Sequence, residues 1–336
     1  VPVALHSPRK ARILDFQPTR AEGAAPPRAA AAVPVEPPED SQIDEAVLRA
    51  LEEDCGARAV SPAAVLELVE RDVTSAHGVP ERARARARLV SKSSGRLAGL
   101  AVFARVFQLV DPSCRIILEA RDGDALAPGQ RLATVEGRAR ALLVGERTAL
   151  NFVQRLSGIA TLTARYVERC AGAARVLDTR KTTPGLRALE KYAVRCGGGE
   201  NHRFGLFDEA MVKNNHLDLA GRSLAELLRG MRAALGADWT ITAEARDERE
   251  ALEGVEGGAD VVMLDNMAPA RMRELCPRLR EAARARGRPL EIEASGGISL
   301  ETVAEVAASG VDRVSVGALT HSAPALDLSL YLEPLA

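Results

Sequence analysis

Short apolar runs separated by amphipathic segments fill the second half of the chain. The segments SLAELLRGMRAAL (223–235) and SLETVAEVAAS (299–309) place apolar residues at helical spacing. Repeated strand–helix units predict a parallel sheet with right-handed crossovers, and one helix between successive strands favours an α/β barrel over two separate domains. The runs that we interpret as strands are ARVLDTR (174–180), EAMVKNN (209–215), WTITAEA (239–245), ADVVMLDN (259–266), LEIEASGG (290–297) and DRVSVGA (312–318).

The first half of the chain predicts a smaller unit of helices and short strands. Helical spacing begins at Ser41, with Ser41 or Asp44 as the expected cap. Residues 81–90 place an arginine at every second position, which predicts a strand with its guanidinium groups on one solvent-facing side. Residues 117–137 predict hairpins, and residues 141–170 a long helix. Residues 1–40 read as an extended or disordered leader, because Ala and Pro dominate its second half.

Composition excludes several classes of protein. The 336 residues include 45 Lys+Arg and 46 Asp+Glu, a net charge of −1 that argues against binding to nucleic acid or to an anionic membrane. No apolar run is long enough to predict a transmembrane helix. The five cysteines are scattered without CxxC spacing, which indicates a reducing compartment, and we expect a cytoplasmic protein.

Polar residues stand where the predicted strands end. The last five strands end at Lys213, Glu244, Asp265, Ser295 and Gly317. In an α/β barrel the carboxyl ends of the strands build the active site, whereas the opposite face serves stability. The sequence therefore predicts that these residues lie around one site.

The segment 180–203 is locally basic and rich in glycine. Its guanidinium groups suit carboxylate or phosphate, and its Gly-Gly-Gly run at 197–199 allows close approach of a ligand. We interpret Arg187, Lys191 and Arg195, spaced along one helix face, as solvent-exposed. The segment as a whole predicts a small anionic ligand.

Two glycine-bearing junctions and two carboxylates extend this prediction. ASGGIS (294–299) and SVGALT (315–320) follow the last two strands, where α/β barrels frequently bind phosphate. Glu244 and Asp265 suit Mg²⁺ together with sugar hydroxyls. They could instead form an acid–base pair or ion pairs with Lys213.

Three stretches together resemble the quinolinate phosphoribosyltransferases, also called nicotinate-nucleotide pyrophosphorylases (carboxylating), of the type II phosphoribosyltransferase group. They are GERTALNFVQRLSGIATLT (145–163), LDTRKTTPGLRALEKYAVRCGGGENHRFGLFDEAMVKNNH (177–216), and the set VMLDN, EASGG and SVGALTH. The resemblance extends from about residue 42 to the C-terminus. It implies an α/β fold with an N-terminal α/β sandwich domain (41–153, joined by the tail 322–336) and an incomplete, open TIM-like barrel (154–321).

The resemblance also implies an activity and a role for each site residue. The enzyme would transfer phosphoribosyl from phosphoribosyl pyrophosphate (PRPP) to quinolinate with decarboxylation, in de novo NAD biosynthesis, with Mg²⁺ as cofactor. It would be a homodimer, or a higher oligomer, with Arg147 supplied by the partner subunit. The implied catalytic residues are Lys181, Lys213, Glu244 and Asp265, with Glu244 and Asp265 also near the ribose and Mg²⁺. The implied substrate-binding residues are Arg147, Thr179, Arg180, His202 and Arg203 for the quinolinate carboxylates, and Ser295, Gly296, Gly297, Gly317 and Ala318 for the 5-phosphate.

One position departs from the family pattern: Asn214 stands where the family usually has Asp, which removes a possible charge beside Lys213. Three alternatives stay open. They are a sister phosphoribosyltransferase that uses nicotinate, a barrel aldolase with Lys213 or Lys181 as Schiff-base nucleophile, and a non-catalytic ligand-sensing relative.

Overall fold

The computed structural model describes residues 35–56 and 68–335. Most of the predicted leader, residues 1–34, lies outside these ranges. The described helices are α1 (Asp40–Cys55), α2 (Val73–Gly78), α3 (Leu100–Val110), α4 (Ala139–Cys170), α5 (Arg187–Cys196), α6 (Asn214–Ala220), α7 (Leu224–Leu235), α8 (Glu248–Gly257), α9 (Pro269–Ala285), α10 (Val303–Ala307) and α11 (Ala318–His321). The described strands are β1 (Arg84–Ser91), β2 (Gly95–Arg96), β3 (Arg115–Leu118), β4 (Ala125–Leu126), β5 (Arg131–Arg138), β6 (Arg175–Leu177), β7 (Ala210–Val212), β8 (Ile241–Ala245), β9 (Val261–Asp265), β10 (Glu291–Ser295), β11 (Arg313–Ser315) and β12 (Leu328–Leu335).

A six-stranded parallel sheet forms the barrel, in the order β6-β11-β10-β9-β8-β7. Each of the strands predicted in the second half of the chain is present. Alternate residues such as Val262, Leu264 and Ile292 are fully buried. Among the described strands β6 and β7 are not paired with each other, so the barrel is open between them. The predicted α/β class with an open TIM-like barrel is confirmed.

A four-stranded antiparallel sheet forms the second layer, in the order β12-β1-β5-β3. β12 returns from the end of the described chain to pair along the whole of β1. Ala85, Ala87 and Leu89 of β1 are buried, and the large buried side chains of α3, including Phe103 and Phe107 in edge contact at 5.1 Å, contribute to the same core. The hairpin prediction holds for β3 and β5, whereas β4 pairs with β2.

Helix α4 connects the antiparallel sheet to the barrel. It confirms the long helix predicted over 141–170 and runs without interruption through residues 153 and 154, where we placed the domain boundary. That boundary remains a prediction. Within the described residues no helix is both long and apolar enough to cross a membrane.

Two local predictions were wrong. The N-cap of α1 is Glu39, whose side chain caps no backbone amide, and Ser41 and Asp44 lie inside the helix. Asp44 instead accepts two hydrogen bonds from Arg105 at 2.6 and 2.7 Å, a tertiary contact that outweighs its capping preference. In the second case α10 covers only Val303–Ala307 of the helix expected over 299–309. The Thr302 hydroxyl accepts a hydrogen bond from the Ser299 main-chain N–H at 2.9 Å and donates to the Ser299 main-chain oxygen, which stabilises a turn there instead.

Candidate active site

The predicted site residues are brought together at the carboxyl edge of the parallel sheet. Asp265 and Ser295 are the last residues of β9 and β10 and stand opposite each other in register. Lys213 follows β7 directly, and Glu244 is the penultimate residue of β8. Because all these strands run in one direction, their ends share one rim, and the sequence-based placement of the site is sound in this respect.

Lys213 and Glu244 form an ion pair on this rim. Lys213 Nζ donates to Glu244 Oε2 at 3.3 Å, and the main-chain N–H of Asn214 donates to Oε1 at 3.2 Å. The Lys213 side chain is 48% exposed and that of Glu244 only 10%. The buried Asn214 Oδ1 accepts no hydrogen bond from the described part of the chain. Of the alternatives raised for Glu244, the pairing with Lys213 is the one that the geometry shows.

Asp265 is partly exposed, and its carboxylate makes no hydrogen bond or ion pair to another described residue. No cluster of at least three His, Cys, Asp or Glu side chains suited to a metal occurs within the described ranges. Mg²⁺ usually retains several waters and binds through one or two carboxylates plus substrate phosphates, so a complete protein cage is not required. The carboxylates of Asp265 and Glu244 at neighbouring strand ends fit such an ion when a phosphorylated substrate is present.

The guanidinium groups of Arg180 and Arg203 lie near each other. Burial, and then the positive charge of Arg180, lower the pKa of Arg203 below its ordinary value. Arg180 Nε is buried and has no hydrogen-bond partner among the described residues. Arg203 donates to the main-chain oxygen of Glu209 at 3.1 Å, and the charges of Glu209 and Asp208 also act on it. A buried guanidinium nitrogen without a partner in the described chain favours an acceptor supplied by a ligand, such as an anion.

Glu190 of α5 stabilises the loop that carries Arg180. This fully buried carboxylate accepts hydrogen bonds from the main-chain N–H and the hydroxyl of Thr183, at 3.0 and 2.8 Å, and from Arg155 of α4. Thr320 donates to the main-chain oxygen of Lys181 at 2.8 Å. Arg180 therefore projects from a fixed backbone, whereas the exposed Lys181 side chain makes no ion pair within the described chain.

Lys191 corrects our interpretation of a solvent-exposed helix face. It is buried and donates to Asp178 Oδ1 at 2.5 Å and to the main-chain oxygen of His202 at 2.9 Å. Asn201 and the His202 N–H also donate to the Asp178 carboxylate. Burial raises the pKa of Asp178 and lowers that of Lys191, because desolvation disfavours both charged forms. Arg195, on the same helix, is exposed as expected.

His202 is 8% exposed and lies against protein groups on both ring nitrogens. Nδ1 accepts a hydrogen bond from the Arg203 main-chain N–H at 2.7 Å, and Nε2 lies 3.4 Å from Glu293 Oε2. Direct binding of His202 to a substrate carboxylate remains a prediction.

Neighbouring side chains lie close to the backbone at the two glycine junctions. A Cβ on Gly296, whose φ is +92°, would stand 2.3 Å from Asn266 Oδ1. A Cβ on Gly317 would stand 2.9 Å from Lys181 Cδ and 3.2 Å from the His321 ring. The loops 295–297 and 317–318 therefore bring bare backbone and the Lys181 stem to one place, as a phosphate site needs.

Arg147 lies on α4, away from the strand ends in sequence. It is exposed, and its guanidinium makes no hydrogen bond or ion pair with any described residue. Neighbours on the same helix behave differently, since Arg155 is bound to Glu190 and to main-chain oxygens of Thr320 and Ala323.

Three buried charged residues that support the site were not predicted as site residues: Glu190, Lys191 and Glu293. Glu190 and Lys191 sit on an amphipathic helix, where charge at helical spacing normally indicates solvent. Glu293 sits between apolar neighbours of a buried strand. A charged residue inside such a run was the available signal, since charge is rarely buried without a partner.

Together these features define an α/β-barrel protein with guanidinium groups, carboxylates and two glycine junctions at the carboxyl ends of its strands. Comparison with known proteins agrees. The family model "Quinolinate phosphoribosyl transferase, N-terminal domain" matches residues 72–157, and the corresponding C-terminal domain model matches residues 159–331. The chain belongs to the quinolinate phosphoribosyltransferase family and is a phosphoribosyltransferase.

Individual relatives show the extent of the similarity. A probable nicotinate-nucleotide pyrophosphorylase (carboxylating) of Bacillus subtilis is 45% identical over 246 residues, which cover 73% of this chain and 82% of the relative. The chloroplastic nicotinate-nucleotide pyrophosphorylase (carboxylating) of Arabidopsis thaliana is 39% identical over 272 residues, 78% of each chain. The crystal structure of NadC from Streptococcus pyogenes superposes with a TM-score of 0.77 at 37% identity, covering 89% of this chain and 99% of that one.

Proposed function

We propose that this protein transfers the phosphoribosyl group of PRPP to quinolinate and releases diphosphate, CO₂ and nicotinate mononucleotide, a step of NAD biosynthesis. The observation that supports this most directly is the pair of neighbouring guanidinium groups of Arg180 and Arg203, neither of which forms an ion pair within the described chain. Quinolinate has two carboxylates, and planar guanidinium groups match carboxylates in bidentate geometry.

In this proposal each group of residues at the strand ends binds one part of quinolinate or PRPP. Thr179, Arg180 and Arg203 bind the quinolinate carboxylates, and Lys181 and Lys213 contact substrate and diphosphate oxygens. The glycine loops 295–297 and 317–318 bind the 5-phosphate through backbone amides. Glu244 and Asp265 face the ribose hydroxyls. The Lys213–Glu244 pair holds both side chains in place before substrate binds.

Catalysis then depends on position and charge. The quinolinate nitrogen attacks C1 of PRPP while the bond from C1 to the diphosphate oxygen breaks, with positive charge developing on the sugar. Preorganised cations next to the leaving diphosphate, and carboxylates near the sugar, stabilise this charge separation. The pyridinium ring then accepts the electron pair of the C2–carboxylate bond as CO₂ leaves, and C2 takes up a proton. No side chain is required as a nucleophile.

Mg²⁺ would be held by Asp265 and Glu244, through water or the ribose hydroxyls, together with substrate phosphates. When bound, it neutralises part of the diphosphate charge.

We also propose a homodimer in which Arg147 of the partner subunit completes each site. The exposed and unpaired guanidinium of Arg147 supports this, because nothing in its own described chain uses it. A cytoplasmic location is proposed from the five free cysteines.

The aldolase alternative has less support from the geometry. A Schiff-base lysine needs a desolvated pocket that lowers its pKa. Lys181 is exposed, and Lys213 is half exposed and paired with Glu244. The buried Lys191 already donates to Asp178 and to a main-chain oxygen.

The test is a direct assay of the purified chain with quinolinate, PRPP and Mg²⁺. We expect nicotinate mononucleotide and CO₂ in equal amounts, and little turnover when nicotinate replaces quinolinate, because the second carboxylate is then missing. Absence of product would overturn the proposed function. Equal turnover of nicotinate would show instead a sister phosphoribosyltransferase.

A further inference from the structure

A chain of buried charges runs inside the barrel from β10 and β11 to His202. Glu293 on β10 is fully buried, and its Oε2 accepts a hydrogen bond from Arg313 Nε of β11 at 2.7 Å. The same oxygen lies 3.4 Å from His202 Nε2. Glu293 and Arg313 belong to no part of the substrate-binding rim described above, and His202 directly precedes Arg203.

The hydrogen bond at Nδ1 determines which ring nitrogen of His202 carries the proton. The Arg203 main-chain N–H can only donate, and it points to Nδ1 at 2.7 Å. Nδ1 must therefore be unprotonated, which places the ring proton on Nε2. A proton on Nδ1 would face that N–H directly, and the nearest carboxylate for it, Glu209 Oε2, is 3.7 Å away.

The Nε2–H group then needs an acceptor. Neither Nε2 nor the second Glu293 oxygen, Oε1, has a hydrogen-bond partner in the part of the chain that the structure describes, and both atoms are buried. A buried donor and a buried carboxylate so close together are expected to satisfy each other. The Arg313 guanidinium, whose Nε lies 2.7 Å from Oε2, favours the carboxylate form of Glu293 against the effect of burial.

The remaining contacts fix the backbone of the same residue. Asp178 accepts from the His202 N–H at 2.9 Å, and Lys191 donates to the His202 main-chain oxygen at 2.9 Å. Because these two hydrogen bonds hold the His202 backbone, the orientation of its imidazole ring is what can still vary. The group that controls the ring also controls the hydrogen bond to the Arg203 N–H.

We propose that Glu293 is a positioning residue of this enzyme: it holds His202 as the neutral Nε2–H tautomer, so that Nδ1 fixes the Arg203 backbone and aims its guanidinium at the substrate carboxylate. In this role His202 acts through the Arg203 backbone. The part of this inference that concerns the substrate rests on the proposed function; the tautomer does not.

The first test is the ¹⁵N NMR spectrum of the wild-type histidine rings near neutral pH, with His202 assigned by its absence in His202→Asn. We expect the Nε2–H pattern for His202. His216 is an internal reference, since its Nδ1 also accepts a main-chain N–H, from Lys213 at 2.9 Å, but it is exposed. An imidazolium or an Nδ1–H pattern for His202 would overturn the proposal without any variant being made, whatever the enzyme's activity.

The second test compares Glu293→Leu, Glu293→Gln and the control Glu291→Leu. Glu291 lies on the same strand and also pairs with Arg313, at 3.1 Å, but it does not contact His202. We expect Glu293→Leu to disturb the His202 signals while sparing His216, and to raise KM for quinolinate about tenfold with KM for PRPP little changed. Glu293→Gln, which keeps an acceptor and most of the packing, should retain most of both properties.

Equal effects of Glu291→Leu and Glu293→Leu would show that Arg313, and not His202, transmits the change, and would overturn the positioning role. If Glu293→Leu does not fold, the comparison of Glu293→Gln with wild type decides, because normal His202 signals with a tenfold higher KM would contradict the mechanism. A wild-type enzyme without quinolinate turnover would remove the proposed function but leave the tautomer test intact.

Discussion

The arginines of β1 and those of the barrel mouth are equally prominent in the sequence, yet the structure uses them differently. Arg86 donates to Glu136 at 2.7 Å and also pairs with Glu333, and Arg88 contacts Glu333 as well, across strands β5 and β12. Arg180 and Arg203 lie near each other, and neither forms an ion pair within the described chain, although the charges of Glu209 and Asp208 act on Arg203. The difference indicates that the partner of an arginine, rather than its position or number, distinguishes a structural cation from a ligand-binding one.

The strongest test of this comparison is Arg180→Ala. We expect kcat/KM for quinolinate to fall about 10²–10³-fold, because a preorganised anion contact is lost. The melting temperature should stay unchanged, since Arg180 supports nothing in the described fold. Steady-state kinetics and thermal unfolding measure the two effects. Near-normal kcat/KM would contradict the carboxylate assignment.

Arg147→Ala extends the same prediction to the dimer. Alone it should be as inactive as Arg180→Ala. Mixing the two variants by unfolding and refolding should restore activity to about a quarter of the sites, because half the dimers become mixed and each mixed dimer has one intact site. No recovery in the mixture would exclude a shared site.

Lys191→Met tests a cation whose partner is inside the chain. Removing one member of a buried ion pair typically costs about 3–5 kcal/mol, and Asp178 would be left without its counter-ion. Denaturant unfolding should show this loss, with Arg195→Met, on the same helix but exposed, as the unaffected control. The double variant Asp178→Asn, Lys191→Met should recover part of the stability, and an additive further loss would contradict the pairing.

The smallest effect is expected for Arg86→Ala. Its ion pairs are partly exposed, and such pairs contribute little and are screened by salt. We expect unchanged kcat/KM and at most a small decrease in melting temperature, which disappears at high ionic strength. A loss of activity comparable with that of Arg180→Ala would remove the distinction between the two groups of arginines.

Local pattern was sufficient for most of the fold. The barrel strands are continuous apolar runs because both faces of the sheet are buried. Such runs can be recognised in the sequence without knowledge of tertiary contacts. The strand ends then place Lys213, Glu244, Asp265 and Ser295 on one rim, because parallel strands impose that geometry.

The sequence pattern could not predict which charged residues pair with each other when they are far apart in the chain. The spacing of Lys191 along its helix predicts exposure to solvent. Its burial is possible because the carboxylate of Asp178, which follows β6, pairs with its ammonium group. Asp44 has the residue type of a helix cap, but in the folded chain it forms an ion pair with Arg105 of α3. In both cases a tertiary partner overrides a local preference, and the sequence distance to that partner has no fixed value.

Helix α4 has a practical consequence for anyone who wishes to exchange parts between relatives. The two family models meet at residue 158, in the middle of a helix that runs unbroken over Ala139–Cys170. At that residue the returning segment passes so close that a Cβ on Gly158 would lie 2.0 Å from the main-chain oxygen of Pro324. A cut there would expose unpaired backbone groups on both sides and separate β12 from β1. A chimera therefore has to inherit α4 and the returning tail together, so the boundary between the two sequence modules is not a boundary between two exchangeable pieces.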